Sequence, residues 1–165
     1  NSGDMEVMVT RESTGQILAS GTIPMNSYAP GLFTSAGNGT AALAATNQDG
    51  SINSPSNPAK RGEVITLYGT GMGHISGAPT DGDVPGQAVP GPVPQVLLGT
   101  GFVPTENIQY SGLAPGLIGV WQINVKIPEG TAPADAVPLS VLLGSIPNNH
   151  VSAPYNQRTT ISVKQ

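Results

Sequence analysis

The sequence predicts an all-β protein: an antiparallel β-sandwich preceded by an N-terminal β-hairpin arm. Three observations carry that prediction. Glycine and proline punctuate the chain so closely that no stretch between consecutive ones exceeds eleven residues. Helices of ordinary length have little room there. Three stretches, residues 121–127, 137–143 and 159–164, alternate apolar and polar side chains with period two. Such alternation gives one buried and one wet face of an antiparallel sheet. Turn residues separate the strands at intervals of ~8–12 residues, the sandwich pattern.

Composition bounds the possibilities. A length of 165 residues suits one domain, or one domain with an extended arm. Hydrophobic residues make up 38%, enough for a core, and charged residues only 10%, against a usual ~25%. A surface so poor in charge offers weak electrostatic resistance to packing against copies of itself. The net charge is −4, and Lys60-Arg61 is the one basic pair. Nucleic-acid binding is therefore not expected, because neutralising phosphates needs several clustered cations. The chain has no cysteine, which excludes thiol catalysis, disulfides and thiolate metal sites. No apolar run approaches the ~20 residues that span a bilayer, so membrane insertion is not expected. The sequence shows no signal peptide, so the expected chain is cytosolic or already processed.

Along the chain, Met5, Val7 and Val9 alternate with Glu6, Met8 and Thr10, which makes the first strand. Residues 12–15 turn it, and residues 16–25 return as a second strand of a hairpin. Residues 28–33, YAPGLF, read as a turn closed by two bulky apolar residues. Residues 40–47, TAALAATN, suit a helix by alanine propensity. The Asp49-Gly50 hairpin signal just after them favours a strand instead. Residues 47–57 read as turn and loop.

The stretch 57–73, NPAKRGEVITLYGTGMG, is the one around which the rest of the chain is organised. Pro58 and Gly62 bracket a basic turn, residues 63–68 form a buried strand, and Gly69, Gly71 and Gly73 end it. Several of these glycines are expected at backbone angles that a side chain forbids. A turn, one buried strand and a glycine-rich exit resemble the opening strand of an immunoglobulin-like sandwich. Residues 74–94 read as a long loop, 95–99 and 106–110 as short strands, and 111–116, SGLAPG, as a turn. In the last strand Thr159, Ile161 and Val163 are expected inside, and Thr160, Ser162 and Lys164 outside. Ala29-Pro30-Gly31-Leu32 recurs as Ala114-Pro115-Gly116-Leu117, which suggests two equivalent corners.

Four motifs stand in order: YAPGLFTSAGNGTAA, NQDGSINSPSNPAKRGEVITLYGTGMG, YSGLAPGLIGVWQINVKIPEG and DAVPLSVLLG. Through them, over residues 28–165, the sequence resembles an uncharacterised C-terminal domain of large secreted Acidobacteria proteins, first catalogued in Solibacter. Residues 57–73 also resemble the opening of the IPT/TIG branch of immunoglobulin-like domains. The resemblance implies an immunoglobulin-like β-sandwich and an extracellular or cell-surface location. It implies no activity, because the family has none assigned and no agreed catalytic residues. In that family another immunoglobulin-like unit usually precedes the APGLF corner. Here residues 5–25 resemble only its closing hairpin. The expected division is an arm, residues 1–27, that is a remnant of such a unit, and a sandwich domain, residues 28–165, with its central part at 55–165.

Several constellations bear on chemistry. His74 and His150 are the two histidines, and Ser76, Asp81 and Asp83 lie near His74 in sequence. A Ser-His-Asp hydrolase needs its histidine beside a serine and oriented by a carboxylate, and no G-x-S-x-G elbow is present. Asp81-Gly82-Asp83 offers two carboxylates for Ca²⁺, which takes six to eight oxygens. Asn47, Asp49, Ser51 and Asn53 alternate oxygen ligands like a calcium loop, but the closing bidentate glutamate is missing, and Asp49-Gly50 is explained by a turn. Paired carboxylates for glycoside hydrolysis need a cleft with aromatic platforms. Aromatic residues are only 4% of the chain, which counts against that chemistry. Trp121 is a possible carbohydrate platform, yet its place in a strictly alternating strand fits core packing better. Asn38-Gly39-Thr40 matches the N-glycosylation triplet.

The sequence therefore points to a non-enzymatic, extracellular immunoglobulin-like subunit with a structural or assembly role. No cofactor and no metal is expected; Asp81, Asp83 and Asp49 are weak calcium candidates. The expected partners are copies of itself, as a homo-oligomer or filament. The assembly residues are Met5, Val7 and Val9, with residues 4–10 adding as a strand to an adjacent copy. Docking of the arm on its own sandwich is the competing outcome. The alternative function is a carbohydrate- or cell-wall-binding module of a secreted protein, and a hydrolase ranks third.

Overall fold

The computed structural model describes residues 3–149 and 159–165 of the chain. They form an all-β structure. β1 (Gly3–Arg11) and β2 (Gln16–Met25) make the expected hairpin. Four short strands come next: β3 (Gly31–Leu32), β4 (Ala41–Ala42), β5 (Ala45–Thr46) and β6 (Ala59–Lys60). β7 (Val64–Thr70) is the strand of the organising stretch. β8 (Val89–Pro90), β9 (Gln95–Leu98) and β10 (Gly101–Phe102) precede a single 3-10 turn at Thr105–Asn107. β11 (Ile108–Leu113), β12 (Trp121–Lys126), β13 (Ala134–Leu143), β14 (Ile146–Pro147) and β15 (Thr159–Lys164) complete the order.

Apart from the hairpin, the strands form two sheets. The first is antiparallel throughout, in the order β3–β7–β12–β11–β8, with β5 also beside β7. The second runs β10–β9–β13–β15–β4, with β14 beside β13 and β6 beside β15. It is mixed, because β4 and β6 pair with β15 in parallel. The inward faces of both sheets share one core. Ile65, Leu67, Trp121, Ile123 and Val125 come from the first sheet, and Val96, Leu98, Leu139, Val141, Ile161 and Val163 from the second. Period-two alternation drives this, since every second side chain of β7, β12 and β13 faces inward.

The glycine-rich exit from β7 is needed for a close approach. A Cβ on Gly71 would lie 1.8 Å from the Ala29 carbonyl oxygen, and its φ is +79°. Gly73 likewise has φ +82° and faces Ser27 and Tyr28. Gly69 has an ordinary φ, yet a Cβ there would meet the Gly31 carbonyl at 2.5 Å. The glycines thus let residues 27–31 lie against the end of β7, fixed by the Ala29 N–H to Gly71 carbonyl bond of 2.8 Å.

The structure corrects several local expectations. Residues 28–33 are not only a turn, since β3 pairs with β7. Residues 40–47 form strand and not helix, as expected, but the strand is broken at Leu43-Ala44 into β4 and β5, and Ala41 at the start of β4 has φ +64°. Glu106 belongs to the 3-10 turn, and Ser111 continues β11. Ser162 is buried, because its Oγ donates to the Asp135 carbonyl and Asn53 covers its backbone. The repeated Ala-Pro-Gly-Leu corners are not equivalent. Leu32 is 3% exposed in a strand, whereas Leu117 is 46% exposed after Gly116 at φ +79°.

The elements define two poles. Trp121 pairs with Gly69 at one end and Lys126 with Val64 at the other. Residues 26–28 join the hairpin to the first end, the near pole, where Gly144 lies against the Tyr28 ring. The β12–β13 connection lies at the far pole, and β13 runs from there back to the near pole. β9 is antiparallel to β13, with Gln95 opposite Leu142 and Leu98 opposite Leu139, so the β9–β10 turn also lies at the far pole.

Candidate functional site

The hairpin is the part of the chain that the core does not account for. β1 and β2 pair with each other in a separate two-stranded sheet, and every residue of both strands is exposed. Gly15, at φ +67°, closes its turn, and the Gly15 N–H donates to the Arg11 carbonyl at 2.8 Å. The register sets which side chains share a face. Gly3, Met5, Val7 and Val9 oppose Met25, Ile23, Gly21 and Ala19, so this face is apolar along its length. Asp4, Glu6, Met8 and Thr10 oppose Pro24, Thr22, Ser20 and Ile17 on the other, more polar face.

The hairpin is therefore amphipathic, and among the described residues nothing covers its apolar side. Met5 is 48% exposed, Val7 40%, Val9 53%, Ile23 46% and Met25 39%. Burying the remaining half of five such side chains is worth about 4–7 kcal/mol at ~1.5–3 kcal/mol per full burial. Association costs ~4–15 kcal/mol, so apolar burial alone would barely hold a partner, and backbone pairing must add to it. The hairpin offers that pairing through its two outer edges. β2 is the poorer edge: it carries Gly21 and Pro24, and a register shift falls opposite Val9/Thr10. β1 has no proline and an unbroken row of backbone groups.

Met5, Val7 and Val9 thus share one exposed face, as expected from their alternation. Ile23 and Met25 complete that face and were not singled out by the sequence. In β2 the adjacent Ile17 and Leu18 obscure the alternation. The turn at 12–15 sets Arg11 opposite Gln16 and by itself would place Thr22 opposite Met5. The bulge at Leu18 shifts the register by one and brings Ile23 there, and no local pattern marks that bulge.

The residues considered for chemistry are scattered over the surface and the core. His74, Ser76, Asp81 and Asp83 are exposed in the loop after β7. His74 and Asp81 line one shallow cleft of about 430 Å³ together with Met72 and Gly119. Among the described residues, no hydrogen bond or ion pair joins His74, Ser76 and Asp81. His150 lies outside the described residues. Among the described residues, no group of three or more His, Asp or Glu side chains is placed to hold a metal ion.

The oxygens of the calcium-like loop are used internally. Asn47 Oδ1 accepts from Asn53 Nδ2 at 2.9 Å, and Asn53 Oδ1 accepts from the Ser162 N–H at 2.8 Å. Asp49 Oδ1 accepts from the Ser51 hydroxyl and from the Ser51 N–H at 3.0 Å. Those two bonds hold the Asp49 carboxyl below its ordinary value, with the Lys164 ammonium adding a smaller effect. Lys60, Glu63 and Lys164 line the same cleft as Asp49, and Lys60 Nζ pairs with Glu63 Oε1 at 3.5 Å, so the two carboxylates there already face two ammonium groups. Trp121 is fully buried, and its Nε1 donates to Ser111 Oγ at 2.9 Å. Asn38 caps its own turn, accepting from the Thr40 N–H at 3.0 Å. No helix among the described residues is long and apolar enough to cross a membrane, which leaves strand-based crossing unaddressed.

Comparison with protein-family models, with curated proteins and with solved structures gives no match.

Proposed function

We propose that this chain is a non-enzymatic, extracellular structural subunit, an immunoglobulin-like sandwich that assembles by giving its N-terminal hairpin to a neighbouring copy. One observation carries the proposal: an amphipathic hairpin with a continuous apolar face stands fully exposed, with both edges unpaired among the described residues. A lone hairpin is marginal in water and presents backbone groups that template pairing with another chain. Strand addition satisfies both needs at once. A charged content of 10% leaves little repulsion between copies. The extracellular placement rests on the resemblance of residues 28–165 to exported domains. The alternative, a carbohydrate- or cell-wall-binding module, loses its main support because Trp121 is inside the core.

The test compares the full chain with V7D/V9D, which places two carboxylates on the apolar face. Sedimentation and negative-stain electron microscopy should show large assemblies or fibres for the parent chain. The variant should be monomeric with an unchanged circular dichroism spectrum. A parent chain that stays monomeric at high concentration would overturn the proposal.

A further inference from the structure

The far pole carries a second unfinished feature. β13 is ten residues long, but β9 covers only residues 139–142 of it. β9 stops where the Gly99 N–H donates to the Pro138 carbonyl at 2.8 Å, and the chain turns away into β10. On that side, among the described residues, no strand pairs with residues 134–137. The other side of β13 is occupied by β15. Beside the bare stretch runs a groove of about 530 Å³, lined by Leu98, Phe102, Pro128, Ala132, Ala136 and Val137 among others. The lining is mainly apolar, and Phe102 is 64% exposed within it. Alanines at 132, 134 and 136 keep the floor low, so an incoming backbone can approach closely.

We propose that this groove receives the hairpin of a second copy of the chain, with β1 pairing alongside residues 134–137 and its apolar face covering Phe102. The inference rests on the reading of the hairpin as a donated element and adds the place it goes. Three observations select a second copy as occupant. The chain itself supplies an element of the required kind, an extended strand with an apolar face and a free edge. The apolar face of the hairpin, with Met5, Val7 and Val9 along β1, matches the mainly apolar lining of the groove. Donor and acceptor sit at opposite poles, so each copy can give at one end and receive at the other. Such a contact is heterologous, and it propagates head to tail into a filament when the rotation does not close.

The test splits the two halves in full-length chains. V7D/V9D disables the donor and keeps the groove. A136R, at an exposed position, fills the groove and keeps the donor; F102E is a second groove variant against misfolding, and circular dichroism checks all three. Each variant alone should sediment as a 16.7 kDa monomer, and an equimolar mixture of V7D/V9D with A136R should give a complex of twice that mass. If A136R and F102E still polymerise while V7D/V9D does not, the groove is not the acceptor and the donor reading stands. If V7D/V9D polymerises like the parent, or the parent is monomeric because the hairpin docks on its own sandwich, both readings fall.

Discussion

Replacing Trp121 with alanine probes the core on which both sheets close. It is the one tryptophan of the chain and is fully buried between the sheets. Cavity formation at such a site costs ~3–5 kcal/mol. The Nε1 bond to Ser111 is also lost, but Ser111 Oγ still donates to the Pro92 carbonyl at 2.6 Å. No donor is left stranded, so this loss adds only ~0.5–1.5 kcal/mol. At 2–4 °C per kcal/mol for a chain of this size, the cavity alone lowers Tm by roughly 6–20 °C. Trp121→Phe keeps most of the volume and should cost less, about 1–3 kcal/mol. Urea unfolding followed by far-UV circular dichroism measures both variants without needing the indole. A cost below ~1 kcal/mol for Trp121→Ala would refute the argument, since it would mean that the sheets do not depend on this side chain for packing.

The geometry sets four further outcomes. Gly71→Ala forces a side chain onto the Ala29 carbonyl at a positive φ, so it should destabilise by more than ~1 kcal/mol in thermal unfolding and loosen the hairpin root. Asn53→Ala removes the paired bonds to the Ser162 backbone and should cost ~1–3 kcal/mol, read by denaturant midpoint. V7D/V9D should leave sandwich stability within ~0.5 kcal/mol, because neither side chain touches the core. Asp49 has a folded-state carboxyl held below its ordinary 3.8, so its contribution is present above that pH and is lost as pH falls through the lower folded value. An NMR titration should place the Asp49 midpoint below 3.8, and Ser51→Ala should move it upward.

Much of the fold was legible because period-two alternation is a direct record of burial. Ile65, Leu67, Trp121, Ile123, Val125, Leu139, Val141, Ile161 and Val163 were all expected inside and are all buried. The hairpin was equally plain, since Gly15 and its neighbours separate the alternating run of β1 from a second strand-forming run at 16–25. What escaped the sequence depends on contacts distant along the chain. β3, β4, β6 and β8 are two residues long, too short for any period, and exist because a longer strand lies beside them. Ser162 reads as an outward residue, yet Asn53, more than a hundred residues away, satisfies its backbone and lets it be buried. The candidate assembly surface was half legible. Met5, Val7 and Val9 announce their face by alternation, but Ile23 and Met25 join it only through register. The far-pole groove arises because β9 is shorter than β13, a mismatch that no local pattern encodes.

Hydrogen–deuterium exchange of residues 3–25, in dilute and then concentrated protein, tests the central claim most directly. A free two-stranded hairpin leaves its outward amides open to water. Donation to a neighbour predicts that outward amides of β1 slow by at least ~10-fold as the sedimenting mass rises, while β7 and β12 stay unchanged. A rise in mass with unaltered exchange across residues 3–25 would contradict it.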